Sequence, residues 1–310
     1  MTQQITDTIL MVRPKHFGYD EETASNNAFQ TNDQSLTPLE VEAKAIEEFD
    51  QFVQKLRSAG IDILVIQDTD HPKKLDAVFP NNWFSTHSNG VIATYPLQAP
   101  NRRAERREAI LDELASQFKV SRRIQLEHWE NQDHFLESTG SMIMDRPNQL
   151  VYACRSVRTS EKAFAEFCQK MDLKGILFDA VDHNNIPIYH TNVMMAIGET
   201  FAILVKEAII RQEEQKEVLE SLAHTGKELI ELSIDQMLSF AGNMLQVRSK
   251  TGQSYLVMSS QAFSSLKTAQ IEQIERHTSI LHSPIPTLET YGGGSVRCMM
   301  AEIFLEKREY

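Results

Sequence analysis

The chain has 310 residues, enough for one large or two ordinary domains, and its formal net charge of −12 argues against a nucleic-acid or anionic-membrane partner. No apolar run approaches the ~18–20 residues that span a bilayer, and residues 1–9 are polar, without a signal-peptide core. Three cysteines cannot all pair within one chain and none forms a Cys-x-x-Cys motif, which fits free thiols in a reducing cytoplasm; no His/Cys cluster has zinc spacing and no glycine-rich phosphate loop opens a helix, so neither metal nor cofactor is expected.

Along the chain, short apolar doublets alternate with helical patterns. Ile9 to Arg13 reads as a strand. Glu21 to Gln34 is polar and lacks apolar periodicity, as a lid or an ordinary surface loop would. Leu39 to Ser58 is the clearest helix: Thr37 is placed to cap it, Pro38 suits its first turn, Glu40 completes a capping box, and Gly60 stops it. Ile61 to Ile66 reads as a single strand. Trp83–Thr86 with Gly90–Leu97 forms a first hairpin and Arg102 to Phe118 a helix. A second hairpin is Ser141–Asp145 with Gln149–Arg155, then a helix at Glu161 to Met171 and a strand at Gly175 to Phe178. Val193–Ile197 with Phe201–Val205 gives a third hairpin, followed by a helix from Lys206 to Leu222. Met244–Arg248 with Tyr255–Met258 gives the fourth, followed by a helix from Gln261 to Arg276.

The repeat length is roughly fifty residues. Cys298 to Phe304 can pair with Ile9 to Arg13 and join the chain ends. The expected fold is α/β: a five-bladed α/β propeller of ββαβ units, residues 1–310 forming a single domain without a Pro/Gly/Ser linker. An open mixed α/β sheet is the alternative.

Polar residues cluster where each hairpin begins: Asn81-Asn82, Glu137 to Ser141, His190 to Asn192, Gly242-Asn243, and Cys298. In a ring of similar units, equivalent positions converge on the axis. That position selects Asn82, Glu137, His190 and Cys298 together. A cysteine nucleophile needs an imidazole partner and a group that positions substrate, and His190 is the only one of ten histidines at a hairpin entry. Cys298 follows the run Gly292 to Gly294, where backbone can approach a ligand closely, and lies beside Arg297. Asn192 and Asn243 suit either the site or a turn. Glu127 to Glu130 and Asp182 to Asn185 read as hydrogen-bonded loops. Arg102, Arg103, Arg106 and Arg107 read as a solvated helix face paired with Glu105 and Glu108. Cys154 and Cys168 fall in apolar patterns and read as core.

The segments FPNNW (79–83), FLEST (135–139), RTS (158–160), YHTN (189–192), GN (242–243) and GGGSVRCM (292–299), in this order, resemble the guanidine-modifying (amidinotransferase) superfamily of five-bladed α/β propellers, and most closely its citrulline utilisation hydrolase branch. The resemblance implies that Cys298 attacks a planar guanidino or ureido carbon, that His190 is the general acid/base, that Glu137 binds substrate N–H groups, and that Arg158 is a candidate for the substrate carboxylate. It places Asn82, Asn192, Asn243 and Gly294 around the substrate. Arginine deiminases usually carry aspartates where this chain has Asn82 and Asn192. Neutral amides suit a neutral ureido group better than a guanidinium, so L-citrulline is the expected substrate, cleaved to ornithine, carbon dioxide and ammonia. Arginine deiminase, dimethylargininase or amidinotransferase chemistry through the same cysteine is the alternative, and a degenerate amino-acid-binding propeller is the non-enzyme alternative. A homodimer is left open.

Overall fold

The computed structural model describes residues 2–309; Met1 and Tyr310 lie outside it. β1 (Thr8–Arg13) runs parallel to β2 (Asp62–Gln67) after the crossover helix Pro38–Ser58. The next unit is an antiparallel hairpin, β3 (Phe84–Thr86) and β4 (Val91–Thr94), then a helix at Glu108–Gln117 and β5 (Arg122–Gln125) parallel to β4. The same order gives β6 (Ile143–Asp145), β7 (Leu150–Cys154) and β8 (Lys174–Phe178) around the helix Glu161–Met171. It recurs in β9 (Met195–Ile197), β10 (Phe201–Leu204) and β11 (Glu228–Glu231), and again in β12 (Leu245–Arg248), β13 (Ser254–Ser259) and β14 (Ser279–Ser283). Finally β15 (Ala301–Glu302) returns antiparallel to β1, so one sheet is built from both ends of the chain.

The result is five three-stranded mixed sheets whose strand ladders do not continue from one sheet to the next. What joins neighbours is chiefly apolar packing. Leu10 and Val12 share a cluster with Phe84 and Ile92; Val91 and Ala93 share one with Met144 and Val151; Tyr152 packs with Met195, Phe201 and Leu256; and Val247 and Val257 pack with Ile9 and Met11. The middle strands β4, β7 and β10 are buried throughout, which is why they read as unbroken apolar runs, whereas β5 and β11 each fully bury one residue, Ile124 and Ile230, and carry polar residues at most of the others. No helix among the described residues is long and apolar enough to cross a membrane.

The structure corrects several boundaries. Every first strand begins later than its apolar pattern suggests, because a tight helical turn precedes it: Pro80–Asn82 before β3, Ser138–Ser141 before β6, Thr191–Val193 before β9. Cys298 likewise lies in a turn, its N–H donating to Ser295 O at 2.9 Å, and not at the start of a strand. The polar residues therefore sit on turns that aim them inward. The helix expected over 102–118 starts at Glu108, because Pro100–Glu105 winds as a 3₁₀ segment and Arg107 is extended. The one expected over 206–222 starts at Gln212. The one expected over 261–276 is broken into Ser260–Ser265 and Thr268–Glu275 by extended Leu266, which turns into the core.

The Thr37–Glu40 capping box is present as the sequence predicts, with Glu40 N–H donating to Thr37 Oγ1 and Thr37 N–H to Glu40 Oε2. Thr37→Ala should therefore cost about 1 kcal/mol, read as a lower midpoint in thermal or urea unfolding; an unchanged midpoint would show that the cap contributes nothing.

Candidate active site

The inward turns meet at a narrow pocket lined by Asp76, Asn82, Arg102, Arg158, His190 and Cys298, with Asn27, Phe79, Tyr189 and Gly292 to Gly294 completing its wall. Five of the sequence-predicted residues line it: Asn82, Arg158, His190, Gly294 and Cys298. Glu137, Asn192 and Asn243 stand immediately behind.

Cys298 Sγ receives two amide contacts, from Asn243 Nδ2 at 3.3 Å and Asn192 Nδ2 at 3.5 Å. The orientation of Asn243 is fixed from both ends. Its Oδ1 accepts the Arg297 N–H at 3.0 Å and its Nδ2 also donates to Asn192 O at 3.1 Å, so the NH₂ group must face the sulfur. Asn192 Nδ2 thus has one of its two N–H groups directed at Sγ.

His190 Nε2 lies 2.8 Å from Glu137 Oε2. Glu137 is fully buried, and its other oxygen accepts the Gln98 N–H at 3.0 Å. Arg158 Nη1 stands 3.5 Å and Arg102 Nη1 3.9 Å from Oε2. Burial pushes this carboxyl upward, but Arg158, the His190 hydrogen bond and Arg102 together outweigh it and hold it far below the usual carboxylate range. Burial pulls His190 down to about 4, only partly offset by Glu137. The pair is therefore carboxylate plus neutral imidazole at pH 7. Nε2–H donates to Glu137 and leaves Nδ1 available to a bound molecule. Glu137 does not line the pocket; with its oxygens engaged, it positions His190 and does not bind substrate N–H groups in this state.

Gly140 makes this approach feasible: a Cβ there would lie 2.4 Å from Asn82 Nδ2 and 2.8 Å from His190 Cε1. Gly293 has φ +62°, and its carbonyl accepts from Tyr189 Oη at 2.9 Å and Asn27 Nδ2 at 3.3 Å. The polar stretch 21–34 thus packs onto the glycine run. It also holds Arg158, whose Nε and Nη2 donate to Asn26 Oδ1 at 2.7 and 2.5 Å and whose Nη2 reaches Thr23 O at 3.1 Å. Arg158 is at the pocket wall, but its guanidinium is engaged by Asn26, Thr23 and Glu137.

Sequence reasoning missed Asp76, Arg102 and Tyr189. The basic run is not a solvated face. Arg102 is buried, chelated by Glu105 at 2.8 and 2.9 Å, and donates to Asn82 Oδ1 at 3.0 Å. Arg103 and Arg106 pair with Glu130, and Arg107 with Asp68. Asp76 Oδ2 stands 3.7 Å from Arg102 Nε, and its Oδ1 is buried without a hydrogen-bond partner, as are Asn82 Nδ2 and Asn192 Oδ1. Burial raises the Asp76 carboxyl to about 6 despite Arg102. Asp76 lies in an irregular segment upstream of FPNNW with no pattern to mark it. The two loops read as hydrogen-bonded are so: His128 pairs with Glu166 and His183 with Asp235.

Five mixed sheets whose inward turns bring a thiol, an imidazole and a carboxylate to one pocket define the guanidino-modifying α/β superfamily. Within it, the chain belongs to the N,N-dimethylarginine dimethylhydrolase family, whose eukaryotic family model matches residues 13–305. These are hydrolases of guanidino groups. Among solved structures, apo ArgZ, an arginine dihydrolase of the ornithine–ammonia cycle in cyanobacteria, superposes with a TM-score of 0.75 at 15% identity over 96% of this chain and 40% of that one. The chain thus spans two fifths of full-length ArgZ. The N-terminal domain of ArgZ bound to substrate gives 0.74 at 15% identity, over 96% of this chain and 99% of that one. A dimethylarginine dimethylaminohydrolase variant, as its adduct with S-methyl-L-thiocitrulline, gives 0.65 at 15% identity, over 98% and 100%. At these identities the likeness is one of fold. No curated protein sequence matches the chain.

Cys154 and Cys168 are buried, and burial pushes both thiols up to about 12. Iodoacetamide at pH 7.5 should therefore label Cys298 in the folded protein well before either of them, as read by peptide mass spectrometry; equal labelling of all three would refute a special environment at Cys298.

Proposed function

We propose that this chain, acting as one five-bladed α/β-propeller domain, hydrolyses the terminal guanidino carbon of arginine or an N-methylated arginine through a covalent Cys298 adduct. As its sulfur adds to the guanidinium carbon, Cys298 passes its thiol proton to Nδ1 of neutral His190. The resulting tetrahedral centre expels ammonia or a methylamine, which takes that proton from the imidazolium. Neutral His190 then removes a proton from water, the hydroxide adds to the thiouronium carbon, and Cys298 leaves as thiolate with a ureido product. Glu137 supports each charged state of His190, and the free Nδ2 of Asn82 is a donor for the developing oxygen.

The observation that carries this reading is Asp76. A preference for a neutral ureido substrate followed from two asparagines where deiminases use aspartates. The pocket nevertheless has its own surplus carboxylate. Arg102 is held by Glu105 and Arg158 by Glu137, which leaves Asp76 with one oxygen unpartnered. Such a group is completed by a cation, and family membership supports the guanidinium of an arginine-like molecule as that cation. A second reading, further cleavage of the ureido product to ornithine, carbon dioxide and ammonia, is supported by the uncharged amides Asn82 and Asn192.

Purified protein offered arginine, N,N-dimethylarginine and citrulline separately should release citrulline from at least one of the first two, and Cys298→Ala should abolish this. Turnover of citrulline alone would overturn the main reading in favour of the second. The proton on Asp76 sets a further expectation. Below about pH 6 the carboxyl is neutral, and above it the charged form attracts a cation, so KM for a cationic substrate should fall as pH rises through 6. Asp76→Asn should raise KM roughly 10- to 100-fold at pH 7.5, the worth of one charge-assisted contact, and flatten that pH dependence. An Asp76→Asn enzyme with unchanged KM would show that the carboxylate does not meet substrate. Loss on arginine but not on citrulline would assign it to the guanidinium; equal loss on both would assign it to the α-ammonium.

A further inference from the structure

A second polar cavity lies apart from the pocket, walled by residues of β6, β9, β12 and β15, the first strands of four sheets: Ile143, Met144, Ala196, Ile197, Leu245, Gln246 and Glu302. Two buried arginines, Arg146 and Arg297, open onto it. It has room for water-sized occupants.

The charges in this cavity do not balance. Arg297 Nη2 donates to Glu302 Oε2 at 2.8 Å and Nη1 to Met300 O at 2.8 Å, so the one carboxylate there is taken. Arg146 Nη2 stands 3.7 Å from the same Oε2, beyond hydrogen-bond length. The only side-chain partner within that length is His87 Nδ1, 3.4 Å from Nη1. Its guanidinium carbon lies 3.9 Å from the centre of the Phe304 ring, which covers one face. Burial lowers the affinity of Arg146 for its proton; Glu302 opposes this in part and the nearby Arg297 charge reinforces it.

The other groups facing Arg146 supply no negative charge. His87, pulled well below its usual range by burial, is neutral; its Nε2–H donates to Ser85, which pairs in turn with Tyr95. Tyr95 is pushed above its ordinary range by burial and stays protonated. Asp145, the neighbour in sequence, is matched by Lys227 at 3.6 Å. A side chain that is 9% exposed, with one side-chain hydrogen-bond partner among the described residues and a net charge of +1 among Arg146, Arg297 and Glu302, is costly to leave so.

We propose that this cavity binds one small monovalent inorganic anion of the size of chloride, held by the Arg146 guanidinium with Arg297 beside it. The site is joined to the pocket by a short path. The main-chain N–H of Arg297 fixes Asn243, and Asn243 donates to Cys298 Sγ. Filling the site braces the turn that carries the thiol.

The test uses the whole protein, with chloride or bromide exchanged for gluconate at constant ionic strength. The midpoint of thermal unfolding should rise saturably by a few degrees with chloride. Arg146→Gln should abolish the rise. Glu302→Gln, which releases a competing carboxylate, should lower the half-saturating chloride concentration; this second variant carries the test if Arg146→Gln does not fold. Crystals grown in gluconate and soaked in bromide should show one anomalous peak between Arg146 and Arg297. A midpoint indifferent to chloride, an equal response in Arg146→Gln, or no peak in that cavity would overturn the proposal.

Discussion

The arrangement hangs on burying one carboxylate. Glu137 has no exposed surface, and an isolated ion in that position would cost several kcal/mol. It is stabilised by groups that no single segment of chain supplies: the Gln98 N–H, the His190 imidazole, and the guanidinium groups of Arg158 and Arg102. These come from turns and loops belonging to different sheets. Satisfying Glu137 therefore requires the sheets to meet in one relative position, and the apolar clusters between them are what hold that position. The polar stretch at 21–34 is drawn into the same network, because Arg158 is shared between Glu137 and Asn26.

Once the carboxylate is fixed, the chemistry of its neighbours follows. A neutral imidazole held by Nε2 has one nitrogen left, and that nitrogen can exchange a proton without breaking the bond to Glu137. The sulfur is treated differently. It is given two amide donors, of which Asn243 is locked in orientation by the backbone of Arg297 and Asn192. The polar atoms still lacking partners, Asp76 Oδ1, Asn82 Nδ2 and Asn192 Oδ1, are an acceptor–donor–acceptor set matched to a planar, nitrogen-rich group.

Much of this was legible in the sequence because the repeat is written in apolar doublets. Hairpin entries can be counted, and counting them picks out Asn82, Glu137, His190, Asn243 and Cys298 with no knowledge of their contacts. The tight turns that carry these residues were not legible, since three residues of helical turn have no periodicity of their own and merge into the apolar strand that follows. Arg102 was misread for a related reason. An arginine three residues before a glutamate gives the same local pattern on a solvated helix and in a buried chelate; only the tertiary burial of the 3₁₀ segment separates them. Asp76 carried no pattern at all. It lies in an irregular approach to the first hairpin, and its weight comes entirely from the groups around it that are already paired.

That placement also explains how neutral amides near the sulfur can coexist with a cationic substrate. An aspartate in the position of Asn192 would put a negative oxygen about as close to Sγ as the present amide nitrogen, at 3.5 Å. At the effective dielectric of a protein interior, two like charges at that distance repel by roughly 5 kcal/mol, and the thiolate would be suppressed in the free enzyme until substrate arrived. Keeping the carboxylate at Asp76, across the pocket and beside Arg102, lets the protein attract a cation without that penalty at its nucleophile. The same separation leaves the sulfur surrounded only by neutral donors, an environment that does not change sign when the bound carbon passes from a charged guanidinium to a neutral urea. On this view the two asparagines bear on the reactivity of the thiol more than on the charge of the substrate.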